Sequence, residues 1–351
     1  MTINLVCVGA CYLDTILSVP HYPAEDSKLR ASSLQVRRGG NCPNTLEVLQ
    51  QLLQQEQGND ESVKVRPYLV TCLPSRHAPA TTQIIESFGV DSPVDFSQCI
   101  FRDEHEQPAS SYIIRSSATG SRTLVNYNEL AEMSFHEFIA AAESVGGEDA
   151  WFHFEGRIPA TTLQCIQWLR RSKPKARVSV EIEKPGREGL DALVAEADVV
   201  FFSRSWAESN LYTSAEKCLR AQSAKARKGT ALTWMMMMAG PISSVRGVHK
   251  ERPVRRLTEP PCLARRRNRT RRRRFMSSSR SDHPRHAGAA PMALLGKRQA
   301  STEASSHDWD NGTKLSFAVQ LATCKVQQEG FNDLGSRALR CVATARVEVD
   351  K

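Results

Sequence analysis

The chain has 351 residues, 40% of them apolar and 24% charged, with a formal net charge of +9. That suits one large α/β domain or two small ones and excludes a peptide or a solvated tail. The charge is local: between Lys250 and His286 fourteen Lys or Arg stand against three acidic residues, so this stretch carries +11 and the remainder −2, which is not the balance of a generally basic nucleic-acid binder.

The opening MTINLVCVGACYLD puts Asp14 directly after a short apolar run, unlike a secretory leader, and no apolar stretch approaches a membrane span. A soluble, cytoplasmic protein is expected. Ten cysteines are scattered from Cys7 to Cys341 without a CxxC pair, so buried free thiols are expected rather than zinc or disulfides. The triplets beginning at Asn268 and Asn311 resemble glycosylation acceptors, but carry no weight without a secretory signal.

From residue 1 to about 234, short apolar runs alternate with helical patterns, predicting a mostly parallel sheet covered by helices. Strands are expected at Leu5 to Val8, Tyr68 to Cys72, Ala150 to Phe154, Arg177 to Ile182, Asp198 to Phe202 and Thr230 to Trp234. Helices are expected over Asn44 to Gln55, where Leu46, Leu49, Leu52 and Leu53 recur at helical spacing, and over Ala160 to Arg171 and Ala215 to Lys228. Gln50 to Ser62 reads as a helix end running into a solvated loop. Ser110 to Ile114 and Ser121 to Tyr127 flank Ala118-Thr119-Gly120 and predict a hairpin, the start of a small lid.

After Trp234 the periodicity stops. Met235 to Met238 lead into Arg- and Pro-rich sequence with eight Arg among residues 265 to 274, then Ser/His/Ala-rich sequence to about Ser306. Residues 235–308 are therefore expected to be an aberrant, disordered, low-complexity segment. Order is expected to return near Lys314, where Leu315, Ala318, Val319, Leu321 and Ala322 suit one amphipathic helix within residues 309–351.

The most specific local pattern is Arg38-Gly39-Gly40-Asn41-Cys42-Pro43-Asn44 before an apolar helix. Two glycines let the backbone approach a ligand, and Asn side chains at a helix start can pair with hydroxyls. Alone, the pattern equally fits a tight turn with Asn41 or Asn44 as the cap. Asp14, after the first strand, and Asp26, in the following loop, could accept hydrogen bonds from vicinal hydroxyls or be solvated loop acids.

In their order, Gly9 to Asp14, the Asp26 loop, Arg38 to Asn44, Gly120-Ser121-Arg122-Thr123, Phe154-Glu155-Gly156-Arg157 and Val180-Glu181-Ile182-Glu183-Lys184-Pro185 resemble the ribokinase-like carbohydrate kinases. The last two blocks narrow the likeness to the ketohexokinase branch. It spans residues 3 to 234 and a short piece near Leu315 to Phe331. The resemblance implies a three-layer αβα core with a small β lid, from which the loss of periodicity after Trp234 departs by making the C-terminal third irregular. It also implies transfer of the ATP γ-phosphoryl group, with Mg²⁺, to a ketose hydroxyl, C1 of fructose in that branch. Asp14, Asp26, Gly39, Gly40, Asn41 and Asn44 would hold the sugar, Arg122 would face phosphoryl groups or sugar, and two copies would pair through the lid.

Phosphoryl transfer rests on positioning and charge stabilisation. The family supplies both with a Gly-Ala-Gly-Asp block whose Asp is the base, and no such block, Walker A sequence or G-x-G-x-x-G turn exists in this chain. The catalytic base is therefore unassigned. Trp234 to Met238 must be encoded TGG ATG ATG ATG ATG, and reading it two nucleotides later gives repeated GAT, aspartate, then a glycine codon. This implies that residues 235 to about 308 are translated out of frame. Two alternatives remain: an inactive sugar-binding descendant, and a nucleic-acid role for Arg265 to Arg274, disfavoured because Phe275 is the only aromatic beside the run.

Overall fold

The computed structural model describes residues 2–55, 64–147, 149–235, 244–246, 317–318, 321, 324–325, 331 and 333–339. In chain order these form β1 (Thr2–Val8), β2 (Tyr12–Val19), β3 (Ser33–Gly39), α1 (Asn41–Gln55), β4 (Lys64–Val70), β5 (Cys72–Pro74), α2 (Pro79–Glu86), β6 (Ile100–Arg102), β7 (Ser110–Ser116), β8 (Arg122–Tyr127) and α3 (Phe135–Ser144). Then follow β9 (Ala150–Glu155), α4 (Pro159–Ser172), β10 (Arg177–Ile182), α5 (Leu190–Glu196), β11 (Val199–Ser203), α6 (Arg204–Ser209), α7 (Ala215–Ser223), β12 (Ala231–Met235) and β13 (Ser244–Arg246).

The main sheet has the order β13-β12-β11-β10-β9-β1-β4. Its strands are parallel except β13, which pairs antiparallel with β12. Central strands buried on both faces read as unbroken apolar runs, and Val199–Ser203 is buried at every position. Alternation then divides the side chains. Phe152, Phe154, Val178, Val180, Val200 and Phe202 pack with Phe138, Ile166, Leu169, Leu193 and Leu219 from the helices on one face. Leu5, Cys7, Trp151 and Phe201 pack with Leu46, Leu49 and Ile84 on the other. The result is an αβα sandwich, and each fully buried aliphatic or aromatic side chain contributes about 1.5–3 kcal/mol.

The outer face of α1 is covered from a distance in sequence. Val48 packs with Phe317, Leu321, Cys324, Phe331, Leu334 and Ala338. Gln51 donates to the Phe331 carbonyl at 2.7 Å and accepts from the Gly335 amide at 3.0 Å. The described pieces of the expected C-terminal helix thus complete a helical layer. Of residues 235–308, only Met235 and Ser244–Arg246 are described, both as strand. The rest of that segment, with its expected disorder and its Arg run, lies outside the described residues, as does the expected loop at 56–63.

A second sheet, β3-β2-β7-β8, forms the lid, with β7–β8 the expected hairpin. It also contains β2 and β3, which the sequence reading did not anticipate. The expected run Tyr68 to Cys72 divides, β4 ending at Val70 and Cys72 opening β5, and α7 ends at Ser223 before the polar Lys225 to Lys228. All eight described cysteines are free, and seven are buried. Among the described residues no helix is long and apolar enough to cross a membrane.

Candidate functional site

The chain passes from lid to core through β3 and α1, and the site forms at that junction. Gly40 has φ +107, and a side chain there would collide with the Ala10 carbonyl oxygen, so only glycine permits this turn. One residue earlier, a Cβ on Gly39 would run into the Asp14 carboxylate. Asp14 on β2 thus lies directly over the Gly39 backbone, and its register partner on β3 is Arg37.

Asp14 is largely desolvated, which pushes its carboxyl above the usual range. A hydrogen bond with Ser111 and the charges of Arg37 and Arg122 oppose that rise. Arg122, at the start of β8, therefore acts on the same carboxylate that covers the glycine turn. Asn41 and Asn44, three apart in the first turn of α1, share a helix face. Both are buried, and Asn44 Oδ1 has no hydrogen-bond partner. The structure thus brings Asp14, Gly39, Gly40, Asn41, Asn44 and Arg122 into one region. It does not join Asp26 to them: Asp26 sits exposed in the β2–β3 connection with φ 56, a backbone state that Asp tolerates.

Three glutamates that the motif reading did not nominate lie beside this region. Glu155 ends β9, Glu181 lies near the end of β10 and Glu183 follows that strand; all three are buried. The Ala10 amide donates to Glu155 Oε2 at 2.9 Å. Burial nevertheless pushes the Glu155 carboxyl up, with the Glu181 charge adding to it. Glu183 is pushed up to about 7, first by burial and then by the neighbouring Glu181 and Glu155 carboxylates. Asn41 Nδ2 donates to Glu181 Oε2 at 2.9 Å and to Glu183 Oε2 at 3.1 Å.

A small cavity opens at the carboxyl ends of β1, β4 and β9, lined among others by Gly9, Ala10, Thr71, Asn128, Glu155 and Arg157. Arg157 forks onto Glu132 at 2.6–3.1 Å and donates to the Tyr12 hydroxyl at 2.5 Å, tying core to lid. Arg38 is structural: it lies over the Phe88 ring at 3.8 Å, bonds Ser87 at 2.9 Å and pairs with Glu47. Ligands of open α/β sheets bind at this carboxyl edge.

Among the described residues no family-type phosphate turn stands ready for ATP and Mg²⁺. The Gly-Ala-Gly-Asp block is absent from the sequence, and among the described residues no group of three His, Cys, Asp or Glu could hold a metal ion.

Fold and site together define a sugar-kinase architecture of the ribokinase type. Ribokinase from Thermotoga maritima superposes with a TM-score of 0.65 at 14% identity, covering 97% of this chain and 99% of that one. Phosphofructokinase-2 from Escherichia coli, in complex with fructose-6-phosphate, gives 0.60 at 14% identity, over 96% and 98% of the two chains. No model of a known protein family matches. The ketohexokinase of Mus musculus is 32% identical over 237 residues, 65% of this chain and 73% of that protein. The chain belongs to the ribokinase-like carbohydrate kinases, on the ketohexokinase side of that family.

Proposed function

We propose that this chain binds a fructose-like ketose between β2 and the first turn of α1, and that phosphorylation of the sugar's C1 hydroxyl from ATP is impaired. The carrying observation is Asn44 Oδ1, buried and unpaired. A buried acceptor without a donor costs about 1–3 kcal/mol, and a sugar hydroxyl is the donor that would relieve it. Asp14 and the remaining acceptor of Asn41 would take neighbouring hydroxyls, and Arg122 would close over the ligand from the lid. Asp26 keeps its assignment to the sugar only if the β2–β3 connection folds inward on binding.

The absent Gly-Ala-Gly-Asp block supports the impairment, because loss of a general base costs about 10²–10⁴ in rate and loss of a phosphate-stabilising donor about 10²–10³. We also place the protein in the cytosol, where the free thiols stay reduced, and propose that it pairs through the lid. One lid face carries the transverse row Val36, Thr15, Tyr112 and Val125, in which Val36, Tyr112 and Val125 are 43%, 53% and 63% exposed.

Calorimetric titration of the full chain with fructose, followed by coupled ATP turnover, tests the function. Saturable binding is expected, weakened about tenfold in Asn44→Ala, with turnover at or near background. Absence of binding would remove the sugar reading; turnover at ordinary kinase rates would remove the impairment.

A further inference from the structure

Asn41 has one side-chain amide, and two carboxylates claim its nitrogen. Asn41, Glu181 and Glu183 are 7%, 0% and 8% exposed, so water does not compete for these bonds. The orientation of the amide is forced, because reversing it would place Oδ1 against both carboxylates. With both N–H bonds so committed, Asn41 can meet a ligand only through Oδ1, as an acceptor.

The clasp has a foundation in the sheet. Trp151 Nε1 donates to Ser179 Oγ at 2.8 Å, and Ser179 Oγ lies 2.9 Å from His153 Nδ1. The ring tautomer decides which of these two atoms donates to the other. His153 Nε2 lies 3.4 Å from Glu181 Oε1, long for a hydrogen bond, so the ring attracts that oxygen as a charge when it is protonated and leaves Glu181 Oε2 for Asn41. Around Glu183 stand Glu155 from β9, Glu181 from β10, and Lys184 and Arg187 beyond β10.

We propose that Glu181 and Glu183 are positioning residues of the sugar site, holding Asn41 so that its carbonyl oxygen is presented to a ligand hydroxyl donor. The inference rests on the sugar reading above and deepens it. Glu181 and Glu183 touch no ligand in this scheme; they act through Asn41. The site then selects for a hydroxyl at that position and against a group that can only accept, such as a carbonyl oxygen or an ether.

The experiment uses the full chain with fructose as the probe. Glu183→Met keeps length and volume but removes the acceptor, and Glu183→Gln restores one through Oε1. Calorimetric Kd values are compared for wild type, E183M, E183Q, N41A and the N41A/E183M double variant. E183M is expected to weaken binding about tenfold, E183Q to recover to within about threefold, and the double variant to be no weaker than N41A alone. Unchanged binding in E183M, or losses in N41A and E183M that multiply in the double variant, overturns the proposal. Side-chain amide resonances of ¹⁵N-asparagine-labelled protein judge the clasp without sugar: the Asn41 NH₂ pair should move in E183M and stay near wild type in E183Q. An unmoved pair overturns the clasp, whereas wild type that binds no fructose removes only the sugar reading.

Discussion

Replacing Glu183 with Gln should stabilise the protein, and only above a particular pH. Glu183 is buried, and its carboxyl rises from the ordinary 4.5 to about 7. A carboxyl whose folded-state value exceeds its unfolded one binds protons more tightly in the native state. Stability therefore falls as pH rises from about 4.5 to about 7, and the loss is complete above 7. A difference of roughly 2.5 units at about 1.36 kcal/mol each gives about 3 kcal/mol. Glutamine has the same length, carries no charge and keeps an oxygen for the Asn41 amide. Urea denaturation of wild type and Glu183→Gln at pH 5, 6, 7 and 8 reads the effect. The variant should match wild type near pH 4.5–5 and lead by up to about 3 kcal/mol at pH 8, a Tm gain on the order of 4–6 °C. A difference that does not vary with pH, or a wild type that is the more stable at pH 8, would refute the assignment of a desolvated, destabilising charge to Glu183.

Gly40→Ala meets both a φ of +107 and the Ala10 carbonyl. It should cost at least about 2 kcal/mol, read by urea denaturation, and lower fructose affinity more than Asn44→Ala does, because it moves the whole first turn of α1. Tyr112→Asp places a charge in the middle of the exposed lid row. Sedimentation velocity should show wild type as a dimer and Y112D as a monomer with unchanged far-ultraviolet circular dichroism; a monomeric wild type removes the lid pairing.

The parallel core was legible because its strands are buried on both faces and therefore form unbroken apolar runs; Arg177–Ile182 is found as expected. The lid strands β2 and β3 were not. Their sequences, YLDTILSV and SLQVRRG, mix polar and apolar residues in the way of a half-exposed sheet, which an isolated reading cannot separate from a loop. The glycine turn was readable because only glycine tolerates its backbone. The glutamate clasp was not, since Asn41 and Glu181 are 140 residues apart and only the parallel register of β9 and β10 brings Glu155 opposite Glu181. A signal was nonetheless present: a carboxylate at or next to the end of a buried strand needs a partner, and Glu155 and Glu181 both have that setting. Asp26 shows the reverse case, a residue carried by resemblance whose backbone lies on an exposed turn.

On the proposed reading, the grip on the sugar and the transfer of a phosphoryl group would draw on separate stretches of the chain. Apart from Arg122, every candidate sugar contact precedes residue 45, the clasp glutamates come from the end of β10 and the residue just after it, and the described hydrophobic clusters on both faces of the sheet run from Leu5 to Leu232. None of these depends on a Gly-Ala-Gly-Asp turn, whose contribution would be charge stabilisation at the moment of transfer. Binding affinity and turnover therefore report on different halves of one device. A sugar site with ordinary affinity and background turnover would place the defect wholly beyond β12. Loss of both would remove the sugar reading itself, because α1 is already packed through Val48 against Phe317, Leu321 and Leu334 and its first turn does not need the missing turn to be held.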